Sequence, residues 1–207
     1  MSHSILEQLF NIKAIQLNFK KPFSYASGLK GPIYCDNRLI WAYPKLRANI
    51  VNALSNMFEI KSISDKNMSI LGLATGGIPH GILLAERKNM PFGYIRSSAK
   101  VHGKNNLIEG NIKSGDTVLL IEDLVNQASS LEKVLVHLDE QKIKYANCFC
   151  IVNYQTKNSK IVEDKYSINI NSLITFDNII SFMKESDLYQ SKEIDRLLSW
   201  KESPKLY

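Results

Sequence analysis

From residue 68 onward the chain alternates between two kinds of segment, and this alternation constrains the fold more than any other feature. "MSILGLA" (68–74), "PFGYI" (91–95), "TVLLI" (117–121) and "CFCIV" (148–152) are runs of mainly apolar residues. A strand with one face in water alternates polar and apolar positions. A strand that is apolar throughout is covered on both faces. Between these runs lie segments of helical character, "GIPHGILLAERKN" (77–89) and "ASSLEKVLVHLDEQ" (128–141). A weaker helix at 155–165, a last strand at 166–175 and helices at about 176–185 and 190–200 complete the series. Strands alternating with helices predict an α/β fold with a central parallel sheet flanked by helices. Ligands of such sheets bind outside the carboxyl ends of the strands.

The first 67 residues are organised differently. A short amphipathic helix is expected at 4–13, and "YPKLRANIVNALSNMF" (43–58) has its apolar residues at helical spacing, with Pro44 near its start. Residues 15–40 are irregular. They hold strand-like pieces at "AIQLNF" and "PIYCDN" and turn signals at Ser27-Gly28 and Gly31-Pro32. With 207 residues the simplest division is one domain spanning 1–207. The N-terminus lacks the basic-then-apolar order of a secretory signal, and no apolar run approaches a membrane span. A cytoplasmic protein without membrane partners is expected. Cys35, Cys148 and Cys150 suit no disulfide framework, and the last two sit inside a buried-looking strand. The formal charge is +6, carried by 21 lysines against 5 arginines. Base reading and bidentate phosphate grips favour arginine, so a phosphorylated small substrate is preferred over nucleic acid.

Three strand ends carry chemistry. After "ILGLA" come Thr75, Gly76 and Gly77, opening a helix, where backbone N–H groups can meet an anion. For two glycines alone, an ordinary tight turn is the preferred account. After "PFGYI" comes "RSSAKVHGKNN", with Arg96, Lys100, His102 and Lys104 and no acid before Glu109. It reads as a loop able to close over a polyphosphate, or as a solvated lysine-rich loop. After "VLLI" come Glu122 and Asp123, adjacent carboxylates that need hydroxyls, a hydrated metal or a cation to replace lost water. Helix-start acids favoured by the dipole would explain one of them better than both. Taken together the three describe a site for a sugar bearing several phosphates.

"VLLIEDLVNQASS" (118–130) resembles the phosphoribosyl-diphosphate (PRPP) signature of the type I phosphoribosyltransferases. "FSYASGLKGPIYCDNR" (23–38) and "IRSSAKVHGKNNLIEG" (95–110) resemble the orotate-using branch of that family. The resemblance covers most of residues 5–155. It implies the family's fold, with a small hood drawn mainly from residues 1–40 and a mobile loop at about 97–108. It implies transfer of the phosphoribosyl group of PRPP to orotate, giving orotidine 5′-monophosphate and diphosphate on the route to UMP. It also implies a homodimer with shared active sites and a requirement for Mg²⁺.

The same resemblance assigns roles. PRPP is expected on Arg96, Lys100, His102, Glu122, Asp123, Leu124, Val125, Asn126, Gln127, Ala128, Ser129, Ser130, Thr75 and Gly76. The ribose hydroxyls fall to the two acids, the 5′-phosphate to 126–130, and the diphosphate to Ala74–Gly77 and the mobile loop. Catalytic roles fall to Lys100, His102 and Asp123, and orotate contacts to Lys30, Tyr34 and Asn126. Mg²⁺ is expected mainly on PRPP itself, with Asp123 reaching it through water. The family's phosphate loop normally carries glycine, whereas Asn126-Gln127-Ala128-Ser129-Ser130 has none. The favoured account is that this loop avoids φ > 0 and that Ser129, Ser130 and the Gln127 amide supply the donors. The altered loop and the basic charge leave a second function open, a PRPP-sensing or RNA-binding regulator without turnover.

Overall fold

The computed structural model describes residues 2–25, 28–61, 68–97, 107–186 and 188–203. Six strands form the central sheet: β5 (Met68–Leu73), β6 (Phe92–Ile95), β7 (Ile108–Glu109), β8 (Thr117–Val125), β9 (Lys144–Asn153) and β10 (Asn169–Thr175). Their spatial order is β10-β9-β8-β5-β6-β7. Five are mutually parallel, as the uninterrupted apolar runs require. The parallel sheet carries one short antiparallel strand at its edge, β7 beside β6. The chain leaves β6 at Arg96, whose N–H donates to the carbonyl of Leu107 (2.9 Å), and returns along its own edge. A connection that folds back on its own strand reverses direction; only a crossover keeps it.

Helices α3 (Gly77–Lys88), α4 (Ser129–Glu140), α5 (Lys157–Tyr166) and α6 (Phe176–Glu185) each follow a parallel strand. The order runs one way from β5 to β6 and the other way from β8 to β9 to β10. Right-handed crossovers then place α3 and α4 on opposite faces. The packing agrees. Leu119 and Ile121 of β8 join a core with Leu84 of α3, while Val118 and Leu120 join a second core with Leu131, Leu135 and Leu138 of α4. Helices α1 (Ser2–Asn11), α2 (Pro44–Ile60) and α7 (Ser191–Glu202) belong to the first core, through Leu6, Leu9, Ile50, Leu54, Leu197 and Trp200. Cys148 and Cys150 are buried on β9 and unbridged, as an apolar strand predicts.

The irregular N-terminal stretch resolves into two small sheets outside the main one. Strand β1 (Ile15–Leu17) pairs antiparallel with β4 (Ile33–Cys35), and β2 (Phe23–Ser24) with β3 (Lys30–Gly31). A 3-10 turn at Asn37–Ala42 leads into α2. Among the described residues no helix is long and apolar enough to cross a membrane.

Candidate active site

The four helices that follow parallel strands do not start alike. Thr156 caps α5 by accepting from the N–H of Ser159 (3.3 Å), and Thr175 caps α6 by accepting from Asn178 (3.2 Å). Helices α3 and α4 begin at Gly76 and Ala128 with no side-chain cap. First-turn N–H groups have no partner within a helix and carry the positive end of its dipole. Two such ends therefore stand open, and they follow the neighbouring strands β5 and β8, between which the strand order reverses. This is the point of an open α/β sheet where a crevice forms.

Glu122 and Asp123 lie between those helix ends, and the period of the strand turns them to opposite faces. Asp123 faces α3, where a Cβ built on Gly76 would stand 2.2 Å from its carboxyl carbon. A Cβ on Gly77 would stand 2.0 Å from the carbonyl oxygen of Ile121. Gly76 is helical (φ −67°), so glycine is there for space and not for a special φ. The tight-turn reading of these glycines is thereby set aside in favour of close approach between α3 and the acidic end of β8. Glu122 faces the other way and is buried. Its Oε1 accepts from the N–H of Asp123 (2.9 Å), and Oδ1 of Asp123 accepts from the N–H of Leu124 (2.9 Å). Burial, and then the neighbouring Asp123 charge, push the Glu122 carboxyl well above the usual carboxylate range.

The segment after β8 departs from the expectation in two respects. Ala128 has φ +56°, ψ 11°, so the loop does enter the left-handed region. The Gln127 amide is also engaged: its Nε2 donates to Oδ1 of Asn126 (3.1 Å) and its Oε1 accepts from Nδ2 of Asn158 (2.9 Å). The physical reason for both is the same. The Asn126 carbonyl accepts from the Thr156 hydroxyl (2.8 Å), and that of Val125 from the N–H of Tyr154 (2.9 Å), which anchor the loop to the start of α5. From there the chain must turn sharply into α4, and one residue in the left-handed region makes the turn. Ser129 and Ser130 are exposed on the open first turn of α4. Glu122 and residues 124–131 line a cavity of about 170 Å³. Val125 is buried in the second core and Leu124 packs against the first, so their main chain is what faces the crevice.

A second cavity of about 150 Å³ opens between the ends of β5, β6 and β8, lined by Ala74, Arg96, Ser97, Glu122, Ser130 and Lys133 among others. The Arg96 guanidinium lies 3.9 Å from Glu109. Thr75 is exposed at the end of β5. Lys100 and His102 lie outside the described residues. Lys30 is exposed on β3, and half-buried Tyr34 on β4 stacks its ring on Phe23 at 5.4 Å. The structure thus brings Thr75, Gly76, Arg96, Glu122, Asp123 and 126–130 to one sheet edge, with Lys30 and Tyr34 on the small sheets.

Two residues near Asp123 had not been singled out. Asn37 is buried, and its Nδ2 donates to the Asp123 carbonyl (2.8 Å). His80 is fully buried one turn beyond Gly76, with neither ring nitrogen hydrogen-bonded among the described residues. Burial, offset by Asp123 and reinforced by Arg47, lowers its pKa to about 4, so it is neutral at neutral pH. A polar residue on the face of α3 that carries Gly76 was the available signal for it.

Among the described residues no three His, Cys, Asp or Glu side chains form a metal-holding group. The donor at this edge is the Asp123 carboxylate, since Glu122 is buried and biased toward its neutral form. One or two carboxylates plus substrate phosphates is the set Mg²⁺ takes, so the residues fit an ion carried in by a diphosphate.

A model of the phosphoribosyl transferase domain matches residues 42–190. The orotate phosphoribosyltransferase of Coxiella burnetii is 36% identical over 97% of this chain and 95% of its own. That of Listeria monocytogenes is 34% identical over the same shares. Among solved structures, the orotate phosphoribosyltransferase of Francisella tularensis superposes with a TM-score of 0.72 at 19% identity, over 96% of this chain and 97% of that one. The UMP synthase of Leishmania donovani gives 0.78 at 18% identity, and this chain spans 42% of its length. Sequence relationship over nearly the full length, the sheet order and the open crevice at the switch point agree: the chain belongs to the phosphoribosyltransferase family, in its orotate phosphoribosyltransferase branch.

Proposed function

We propose that this protein transfers the phosphoribosyl group of PRPP to orotate, releasing diphosphate and forming orotidine 5′-monophosphate, as a Mg²⁺-dependent cytoplasmic homodimer. The observation that carries the site assignment is the pair of uncapped helix starts, α3 and α4, on either side of the Asp123 carboxylate. The open turn of α4, with Ser129 and Ser130, takes the 5′-phosphate. The open turn of α3, with Thr75 and Gly76, takes the diphosphate. The ribose lies between them, its hydroxyls toward the acidic end of β8.

As the bond from the anomeric carbon to diphosphate breaks, positive charge grows on the sugar and negative charge on the leaving group. A ring nitrogen of orotate forms the new bond. Asp123 stabilises the positive sugar, and Arg96, Lys100 and His102 with the α3 dipole stabilise the leaving diphosphate. Asp123, through water, would help hold a Mg²⁺ ion carried in by the diphosphate, and such an ion would supply part of the charge that stabilises the leaving group. Asn37 and the lack of side chains at Gly76 and Gly77 fix where the Asp123 carboxylate stands. The small sheets β1–β4 and β2–β3 form the hood and present Lys30 and Tyr34 to the base. The segment at 97–108, of which residues 98–106 lie outside the described residues, is the one the family resemblance assigns to excluding water from the reactive sugar.

The test is loss of orotate absorbance in the presence of PRPP and Mg²⁺. Turnover supports the proposal. Binding of PRPP without turnover would favour the non-catalytic regulator, to which the internally bonded Gln127 amide lends its weight.

A further inference from the structure

The hairpin that carries Lys30 is too small to hold its own shape. Strands β2 and β3 contribute two residues each, paired Phe23 with Gly31 and Ser24 with Lys30. Isolated two-stranded ribbons are marginal in water even when longer. Something outside the hairpin must fix it. That support comes from the other end of the chain: the indole N–H of Trp200, on α7, donates to the carbonyl of Lys30 (3.0 Å).

Trp200 is itself packed in the first core. It is 1% exposed. Its ring meets Tyr154 edge-on at 5.8 Å, lies stacked with Phe176 at 6.5 Å and tilted against Tyr25 at 6.1 Å. The sequence of the hairpin is adapted to this contact. A Cβ on Gly31 would stand 2.2 Å from the Tyr25 hydroxyl and 2.5 Å from the Trp200 Nε1, so only glycine lets the Lys30 carbonyl reach the indole. The Tyr25 hydroxyl donates to the Ile33 carbonyl and ties down the far side. The main chain of Lys30 is thus held from the core side, while its side chain remains exposed.

We infer that Trp200 is a positioning residue for the base substrate: through the Lys30 carbonyl, the C-terminal helix sets where the Lys30 ammonium stands. This rests on the assignment of Lys30 to orotate made above. When a binding element is only partly in its competent position, apparent affinity falls by that fraction. A hairpin of four paired residues that loses its bond to Trp200 samples undocked positions more often, and the base must recapture it. PRPP is gripped by β5, β8 and their helices, none of which the Trp200 indole N–H contacts, so PRPP should not register the loss.

The variant is Trp200→Phe, which keeps an aromatic ring in the cluster and removes the N–H. The control is Phe176→Leu, which loosens the same cluster and leaves the bond to Lys30. Steady-state kinetics should give Trp200→Phe a KM for orotate raised by up to about fivefold, the loss of one part-buried hydrogen bond. Its KM for PRPP and its kcat should stay within about twofold. Phe176→Leu should melt earlier with both KM values unchanged. An unchanged orotate KM in Trp200→Phe, or a matching rise in Phe176→Leu, overturns the inference. If the unmodified protein does not consume orotate, the functional proposal fails instead, and amide exchange then decides on the hairpin. Faster exchange at Tyr25, whose N–H is bonded to the Leu29 carbonyl, in Trp200→Phe but not in Phe176→Leu supports the anchoring. Equal protection overturns it.

Discussion

Gly76→Ala separates the function of the crevice from its stability. Gly76 has φ −67° and ψ −32°, which alanine adopts without strain. On backbone grounds alone the change stabilises by about 0.4–1 kcal/mol, through the unfolded chain. The added Cβ, however, would stand 2.2 to 2.4 Å from the three carboxyl atoms of Asp123. Ordinary contact distances require the carboxylate to retreat by about 1 Å. Retreat gives up the bond that Oδ1 accepts from the Leu124 N–H, at a cost of about 1 kcal/mol. The two effects on stability nearly cancel, so the melting temperature should move by only a few degrees. Activity should not survive as well, because a displacement of ~1 Å at a positioned group costs on the order of 100-fold. The measurements are a thermal melt and the rate of orotate loss at saturating PRPP. A Gly76→Ala protein with unchanged melting and a rate within twofold of the parent would refute the idea that the Asp123 position matters. Gly77→Ala makes the contrast: its Cβ meets the Ile121 main-chain oxygen, which cannot swing aside, so that protein should lose stability as well.

Asp123→Asn should lose most activity with an unchanged melt, and mixing it with Lys100→Ala under subunit exchange should restore activity if each site draws on two chains; proven exchange without recovery would place each site within one chain. Glu122→Gln should melt higher than the parent above about pH 5, since burial beside Asp123 disfavours the carboxylate that the amide replaces; a lower melt would contradict the direction of that shift. For His80 the folded pKa of about 4 lies below the ordinary 6.5, so the unfolded chain takes up the proton first as pH falls. Its contribution is complete above the ordinary value and is lost on descending to about 4, roughly 3 kcal/mol in all; urea melts of the parent and His80→Gln from pH 7 to 4 should show the gap between them closing. Ala128→Gly should leave the KM for PRPP within about twofold, because φ +56° is already present without ligand; a several-fold drop in KM would mean that the strain falls on the bound state.

The order and type of the main elements were legible because burial on both faces leaves a plain mark. Every position of β5 and the last six of β9 are buried, and they appear in the sequence as "MSILGL" and "CFCIVN" with few polar residues. The hood was legible only as punctuation. Strands of two and three residues, such as β2 and β4, have no period to read. Their pairing is decided by distant contacts such as Trp200 with Lys30, 170 residues apart. The short β7 escaped notice for the same reason.

In the candidate site, charge was legible and geometry was not. The two acids in sequence promise a pair acting together, but alternation along β8 sends Glu122 into a buried, charge-averse position and Asp123 toward α3. The phosphate loop shows the limit most clearly. With no glycine between Val125 and Leu131, the residues argue for a loop that avoids φ > 0. What decides the matter lies elsewhere in the chain: Thr156 and Tyr154 hold the carbonyls of Asn126 and Val125 and leave the chain one residue in which to turn. Alanine in that conformation costs roughly 1 kcal/mol. Part of the cost is recovered because the Ala128 methyl is packed in the second core, at 6% exposure, where glycine would leave it empty. A strained alanine with a buried methyl is therefore nearly as stable as an unstrained glycine. Local rules that weigh only the backbone choose the wrong conformation at such a position, and the strain is carried by folding, before any phosphate arrives.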